Sequence, residues 1–206
     1  MRVRPFTLAG RHVRLEPLGL DHVSALVRAA EADRSSFGFT LVPADESAMS
    51  SYAAGLLADA AADTVVPFVQ CDAASGMPLG CTRYLNIVWW PDRSTPAELE
   101  IGGTWLTAAA QRTPINTEAK LLLLSHAFDE WAVHRVAICT DARNDRSRQA
   151  IERLGATFEG VLRRHRASQG HAVEAGTPRD TATYSIVPEE WPGVRDRLRA
   201  RLDAPR

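Results

Sequence analysis

The first third of the chain alternates between strand-like and helix-like patterns of hydrophobic positions. In 12–18, Val13 and Leu15 fall on one face and charged residues on the other, which predicts a half-buried strand. Apolar residues then recur at helical spacing over 20–30. A second, alanine-rich helix is predicted over 47–62.

The middle of the chain has the pattern of a hairpin followed by another strand. Two apolar segments, 64–71 and 79–89, flank the turn-forming residues 72–76. The next strand is predicted over 97–106, and its paired glycines, Gly102 and Gly103, indicate a bulge.

A long apolar helix begins the last part of the chain. The helix predicted over 117–132 is apolar nearly all round, so we expect it to be buried against a sheet. A strand at 135–141 and a helix at 144–154 follow, and Gly155 is a typical residue just after a helix end.

Two more strands and a final helix complete the pattern. The strands are predicted at 158–164 and 182–187, and the polar stretch 165–180 between them is expected to be mobile. The last helix covers about 189–202. The order β-α-α-β-β-β-α-β-α-β-β-α predicts a single mixed α/β domain over 1–206.

Composition and charge argue against several classes of protein. The chain is 45% hydrophobic and 24% charged, as is usual for a globular domain and unlike a disordered chain. Its net charge of -1 argues against nucleic-acid binding. No apolar run approaches the ~18–20 residues of a membrane span, so no membrane partner is expected.

The cysteines and the N-terminal segment predict a cytoplasmic protein. Cys71, Cys81 and Cys139 are widely spaced and odd in number, which indicates neither a disulfide framework nor a metal site. The first ten residues lack the apolar stretch of a signal peptide.

Candidate chemistry lies at two polar junctions between a strand and a helix. The first is 111–116, where Gln111 and Arg112 precede a helix; the second is 140–147. Free backbone N–H groups and the dipole at a helix N-terminus favour a phosphate group. Both junctions follow strands, where ligands of α/β sheets collect.

Five segments, in this order and spacing, resemble the GCN5-related N-acetyltransferases (GNAT), and within them the RimJ/RimL-like branch that acetylates ribosomal-protein N-termini and similar amines. The resemblance covers about residues 11–188. The segments are 13–18, 100–106, 111–120, 140–147 with 150–155, and 179–185.

The resemblance implies a fold and a cosubstrate. The fold is a mostly antiparallel twisted sheet, flanked by helices and splayed between the fourth and fifth strands. The cosubstrate is acetyl-CoA, with no metal ion. The family's phosphate loop has the form (Gln/Arg)-x-x-Gly-x-(Gly/Ala), and Gln111 takes its first position, whereas Pro114 and Asn116 replace the glycines. The residues implied to hold the pyrophosphate are Gln111, Arg112, Thr113, Ile115, Asn116 and Thr117.

The resemblance also implies roles at the reacting end of acetyl-CoA. Asn144 is the counterpart of the asparagine that contacts the pantetheine arm, and Ser147 of a hydroxyl near the thioester sulfur. Ser147 is therefore the candidate that stabilises the leaving thiolate, with Tyr184 as the alternative.

A proton acceptor is also required, because an ammonium ion cannot attack a thioester until it loses a proton. Glu98 and Glu100 share one face of their strand, and Glu100 lies nearer the glycine kink and the loop. Glu100 is therefore the candidate base.

The resulting hypothesis is direct acetyl transfer from acetyl-CoA to a primary amine, either a protein N-terminus or a small molecule, by a monomer or homodimer. The alternative is a non-catalytic acyl-CoA-binding or regulatory module, since both loop glycines are replaced. Arg163, Arg164 and Arg166 are expected to form a solvated patch, with the steering of an acidic group as the alternative.

Overall fold

The computed structural model describes residues 3–204, so the ends of the predicted 1–206 domain, residues 1–2 and 205–206, lie outside it. Within the described residues the strands are β1 Leu8–Ala9, β2 Val13–Pro17, β3 Val66–Asp72, β4 Pro78–Val88, β5 Glu98–Leu106, β6 Arg135–Asp141, β7 Thr157–Ala167 and β8 Pro178–Ile186. The α-helices are α1 Val23–Glu31, α2 Glu46–Ala61, α3 Pro114–Ser125, α4 Asp145–Leu154 and α5 Trp191–Asp203.

These eight strands form one sheet in the order β1-β2-β3-β4-β5-β6-β8-β7. Neighbours are antiparallel except β5 and β6, which run parallel. Registered pairing between those two covers 98–100 opposite 135–137, although β5 continues to Leu106 and β6 to Asp141. The predicted α/β fold with a sheet splayed at this point is therefore confirmed.

Side-chain alternation gives the sheet a core on each face. On one face, Leu99, Ile101 and Ile138 join a cluster with residues of α3, α4 and α5. On the other face, Val69 and Trp105 pack with residues of α1 and α2. Helices α3, α4 and α5 therefore cover one face of the sheet and α1 and α2 cover the other, with the gap between β5 and β6 lying between them.

The paired glycines form the expected bulge in β5. The register with β4 shifts between the Cys81 and Arg83 pairs, so that Arg83 faces Gly102. Gly103 has a φ of 56°, and a Cβ there would lie 2.5 Å from the Arg83 guanidinium carbon. Only glycine meets both conditions without strain, so it allows β5 to bend here.

Helix α3 begins at Pro114, three residues before the predicted position. Thr113 is the N-cap residue, and its side chain accepts a hydrogen bond from the Ile115 N–H. Proline at the first helical position costs nothing, because its missing N–H would have no intrahelical partner. The residues expected to form a phosphate loop are thus partly the first turn of α3.

Strands β7 and β8 are longer than predicted and include the two ends of the 165–180 stretch, 165–167 and 178–180. The connection between them is 168–177. It contacts the segment after α1, where the Ala172 N–H donates to the Gly38 carbonyl at 2.9 Å. Strand β1, which the pattern did not predict, extends the opposite edge of the sheet.

No helix in the part of the chain that the structure describes combines the length and apolar character needed to cross a membrane.

Candidate active site

A cavity of about 940 Å³ lies where β5 and β6 diverge, a volume within the ~300–1,000 Å³ usual for small-molecule sites. Its wall includes β5 and β6, the first turns of α3 and α4, and side chains of the β7–β8 hairpin. The two polar junctions expected to bind one ligand therefore meet in one cavity.

The α3 side of the cavity carries most of the expected phosphate-binding residues. Arg112 is exposed with a φ of 60°, and Thr113 and Thr117 also line the cavity. Asn116 Oδ1 is buried and accepts no hydrogen bond from any described residue. These residues present a free guanidinium, a hydroxyl and an amide group to a ligand.

Two of the expected residues have other roles here. Gln111 Nε2 donates to Ser36 Oγ at 2.8 Å and to the Leu106 carbonyl at 2.9 Å, so Gln111 ties β5 to the segment after α1. Ile115 is buried in the core beneath the sheet, and its backbone N–H donates to Thr113 Oγ1.

The α4 side of the cavity holds the residues expected at the thioester. Asn144 is the N-cap residue, and its Oδ1 accepts the Ser147 N–H at 3.1 Å. Both side chains line the cavity. The capping bond leaves the Asn144 amide NH₂ and the Ser147 hydroxyl to face a ligand.

Tyr184, the alternative to Ser147, is not on the cavity wall. Its side chain is fully buried; its hydroxyl donates to Glu152 Oε1 and accepts from Arg148 Nε, at 3.0 and 3.2 Å. Burial raises the pKa of Tyr184. Ser147 is the better placed of the two hydroxyls.

Glu100 is a buried carboxylate on the cavity wall, 4% exposed. The Arg166 guanidinium donates to both of its oxygens, at 3.0 and 2.6 Å, and Asn86 Nδ2 donates to Oε2 at 2.8 Å. Glu98, in contrast, is half-exposed and pairs with Arg135 at 2.9 Å. The two carboxylates therefore differ sharply in environment.

The expectation that Arg166 belongs to a solvated patch is wrong. Arg163 and Arg164 are exposed, whereas the Arg166 guanidinium turns inward to Glu100, which raises the pKa of Arg166. The pairing joins residues 66 positions apart, so no local pattern could reveal it.

Cys139, on β6 beside Glu100, also lines the cavity. Burial, with the nearby Glu100 charge, raises the pKa of its thiol to about 11. A thiol that stays protonated at neutral pH is a poor nucleophile.

Lys120, in the second turn of α3, was not predicted as a site residue. It lines the cavity, is 9% exposed, and donates from Nζ to Thr104 Oγ1 at 2.9 Å. Burial lowers the pKa of Lys120 to about 7. A lysine is usually exposed, so the one signal in the sequence was its place directly before the leucine run 121–124.

The alternation of side chains sorts these groups onto the two faces of the sheet. Glu100 and Cys139 lie on the face that α1 and α2 cover, because their neighbours Leu99 and Ile138 lie on the α3 face. Lys120 lies on the α3 face. The cavity is therefore lined by Glu100 and Cys139 from one face of the sheet and by the first turns of α3 and α4 from the other.

Known proteins share both the sequence pattern and this fold. Residues 12–157 match the family described as "Acetyltransferase (GNAT) domain". A Bacillus subtilis (strain 168) protein named "Putative ribosomal N-acetyltransferase YdaF" is 35% identical over 93 residues, which are 45% of this chain and 48% of that protein. The match thus spans about half the length of that curated relative.

Two solved structures show how far the fold is shared. A GCN5-related N-acetyltransferase from Brucella melitensis has a TM-score of 0.83 at 29% identity, covering 100% of this chain and 88% of its own. Mycobacterium smegmatis RimJ, in complex with CoA-disulfide, has a TM-score of 0.76 at 23% identity, with 97% of each chain covered.

The family expected from the five sequence segments is confirmed, and the YdaF match supports its RimJ/RimL-like branch. The family match covers well over half of the chain and includes β5, the α3 junction and the α4 junction. On that match and the shared fold, the chain belongs to the GNAT acetyltransferase family.

Proposed function

We propose that this protein is an acetyl-CoA-dependent N-acetyltransferase that moves the acetyl group directly to a primary amine. The observation that carries the proposal is the single cavity that joins the N-termini of α3 and α4 to the buried Glu100 carboxylate through the splayed sheet. We assign phosphate binding to the α3 end of this cavity and proton acceptance to Glu100.

The α3 end suits the pyrophosphate of acetyl-CoA, although with fewer backbone donors than two glycines would supply. Pro114 has no N–H, and the Ile115 N–H is already bonded to Thr113. The Asn116 N–H lies in the first turn, where helical N–H groups lack intrahelical partners. Arg112 supplies the positive charge, and the unpartnered Asn116 side chain supplies a further polar group.

The α4 end suits the pantetheine arm and the thioester. The Asn144 amide can bond to the arm, and the Ser147 hydroxyl can donate to the sulfur as the C–S bond breaks. A hydrogen bond to the leaving thiolate is strongest when the charge develops, so it lowers the barrier rather than merely binding the cosubstrate.

Glu100 takes the proton that the acceptor ammonium must lose. Three hydrogen bonds from Arg166 and Asn86 occupy three of its roughly four acceptor positions. The remaining position accepts a proton from the amine or from one bridging water. The C–N bond then forms as the C–S bond breaks, the second proton lost by the amine nitrogen passes to the CoA sulfur, directly or through the Ser147 hydroxyl, and CoA leaves as the thiol.

The name of the B. subtilis relative supports a protein N-terminus as the acceptor. The test is thiol release from acetyl-CoA with a panel of amines that includes short peptides with free N-termini and small metabolite amines. We expect release that depends on the amine and yields an N-acetylated product. Acetyl-CoA binding in calorimetry without amine-dependent release would instead favour the non-catalytic acyl-CoA-binding module.

A further inference from the structure

Arg179 of β8 is a cation on the cavity wall without a partner. It lies directly opposite Arg166 in the β7–β8 register, and both line the cavity. Its Nε is buried without a hydrogen-bond partner, and no nitrogen of its guanidinium forms a hydrogen bond or ion pair with any residue in 3–204.

The other charges around it are already balanced. Arg166 is bound to Glu100, and the buried Asp141 is bound to Arg143 at 2.7 Å. Burial and the positive charge of Arg166 lower the pKa of Arg179, although an arginine keeps its charge at any physiological pH. Of Arg143, Arg166 and Arg179, Arg179 is thus the one whose positive charge no carboxylate in this cluster pairs with.

A structural arginine in this chain has a different environment. Arg93 donates to the Trp131 and Ala132 carbonyls, both at 2.8 Å, and so ties a loop to the segment between α3 and β6. Arg179 makes no such bond, and yet its burial carries a desolvation cost. An arginine held in this way is ready to bind a ligand group in the cavity.

The position of Arg179 indicates that the ligand group it binds belongs to the acceptor and not to acetyl-CoA. On β8, side chains alternate, and Thr183 contacts Cys139 across the strands. Arg179 is four residues from Thr183, so it shares the face of Cys139 and Glu100, opposite the face of α3. The pyrophosphate junction begins on the other side of the sheet.

We propose that Arg179 binds a carboxylate of the acceptor, so that the enzyme selects amines that carry a carboxylate close to the reacting nitrogen. This inference rests on the proposed function. Two sources supply that chemistry: an acidic side chain just after a peptide N-terminus, and the α-carboxylate of a free amino acid. Arg179 acts as a specificity residue, since it binds the acceptor and takes no part in proton transfer.

The test compares matched acceptors that differ in one carboxylate. One arm uses the peptide amides Ser-Glu-Ala-Ala and Ser-Gln-Ala-Ala, and the other uses alanine and alaninamide. In the wild type we expect a preference for the acceptor with the additional carboxylate in one of the two pairs. In that pair its kcat/KM should exceed the kcat/KM of the neutral acceptor by roughly tenfold to a hundredfold, the range of one charged hydrogen-bonded contact.

Arg179→Gln should remove that preference, leave kcat/KM for the neutral acceptors within about threefold, and leave the KM for acetyl-CoA unchanged. Arg179→Lys keeps the charge and should retain part of the preference, and Arg163→Gln, an exposed arginine on β7, is the control. Thermal unfolding of each variant shows that the change is not a loss of fold.

Several outcomes would overturn the inference: no preference for a carboxylate in either arm, a preference that survives Arg179→Gln, or an increase in the acetyl-CoA KM alone, which would assign Arg179 to the cosubstrate. Calorimetric binding of the same peptides in the presence of CoA separates this inference from the proposed function. A carboxylate preference in binding that depends on Arg179, without any turnover, would support the subsite and contradict the transferase activity.

Discussion

Replacement of Lys120 by methionine should stabilise the protein and change how its stability depends on pH. The pKa of Lys120 is lowered to about 7 by burial, whereas a lysine in an unfolded chain titrates near ~10.4. Between these values the unfolded chain binds one more proton than the folded protein. This difference favours the unfolded state by roughly 4 kcal/mol at pH 7.

The penalty from Lys120 is greatest at and below about pH 7 and disappears as the pH rises toward ~10.4. Lys120→Met removes it and loses one hydrogen bond, worth about 1 kcal/mol. Thr104 Oγ1 keeps its contact with Thr82 Oγ1 at 2.8 Å, so no buried hydroxyl is left unpaired. The net gain should be about 3 kcal/mol at neutral pH and should shrink by about 2 kcal/mol by pH 9.

Urea unfolding of both proteins at several pH values measures this difference. Leu123→Met, at a fully buried position of the same helix, is the control, since it changes packing without changing a titrating group. Its effect on the free energy of unfolding should be the same at every pH. A Lys120→Met effect that is equally independent of pH would refute the reasoning, because it would mean that Lys120 is charged inside the folded protein.

Two further changes test the two ends of the cosubstrate site. Arg112→Ala should weaken acetyl-CoA binding roughly three- to tenfold in calorimetry, a modest loss because the guanidinium is exposed, and unchanged affinity would remove Arg112 from the site. Ser147→Ala should lower kcat more than it raises the KM for acetyl-CoA, since thiolate stabilisation exists only as the bond breaks; an effect on KM alone would make Ser147 a positioning residue.

Much of the fold could be predicted because it follows from local patterns. The alternation in 12–18 buries Val13 and Leu15 on one face of β2, and the apolar run in 117–132 places Leu123 and Leu124 in the core. The start of α3 lies three residues before the predicted one, at Pro114, and proline is favoured at the first helical position.

The acceptor side of the site could not be predicted in the same way. The bond between Glu100 and Arg166 depends on the register of β7 and on the approach of two distant strands, neither of which leaves a local pattern. The burial of Lys120 depends on packing beneath β5, where Thr104 is its partner. Charged residues in polar stretches appear solvated in a sequence, and only the tertiary structure shows which of them turn inward.

The most direct test of the central claim is the activity of Glu100→Gln as a function of pH, with Glu98→Gln as its matched control on the same strand. Glutamine keeps the size of Glu100 and can accept hydrogen bonds, but it cannot accept the proton. We predict that Glu100→Gln lowers kcat/KM about 100-fold or more and removes the acidic limb of the pH–rate profile, with acetyl-CoA affinity intact, whereas Glu98→Gln resembles the wild type. Wild-type rates in Glu100→Gln, or a loss confined to Glu98→Gln, would contradict acetyl transfer with Glu100 as the base at the splayed strands.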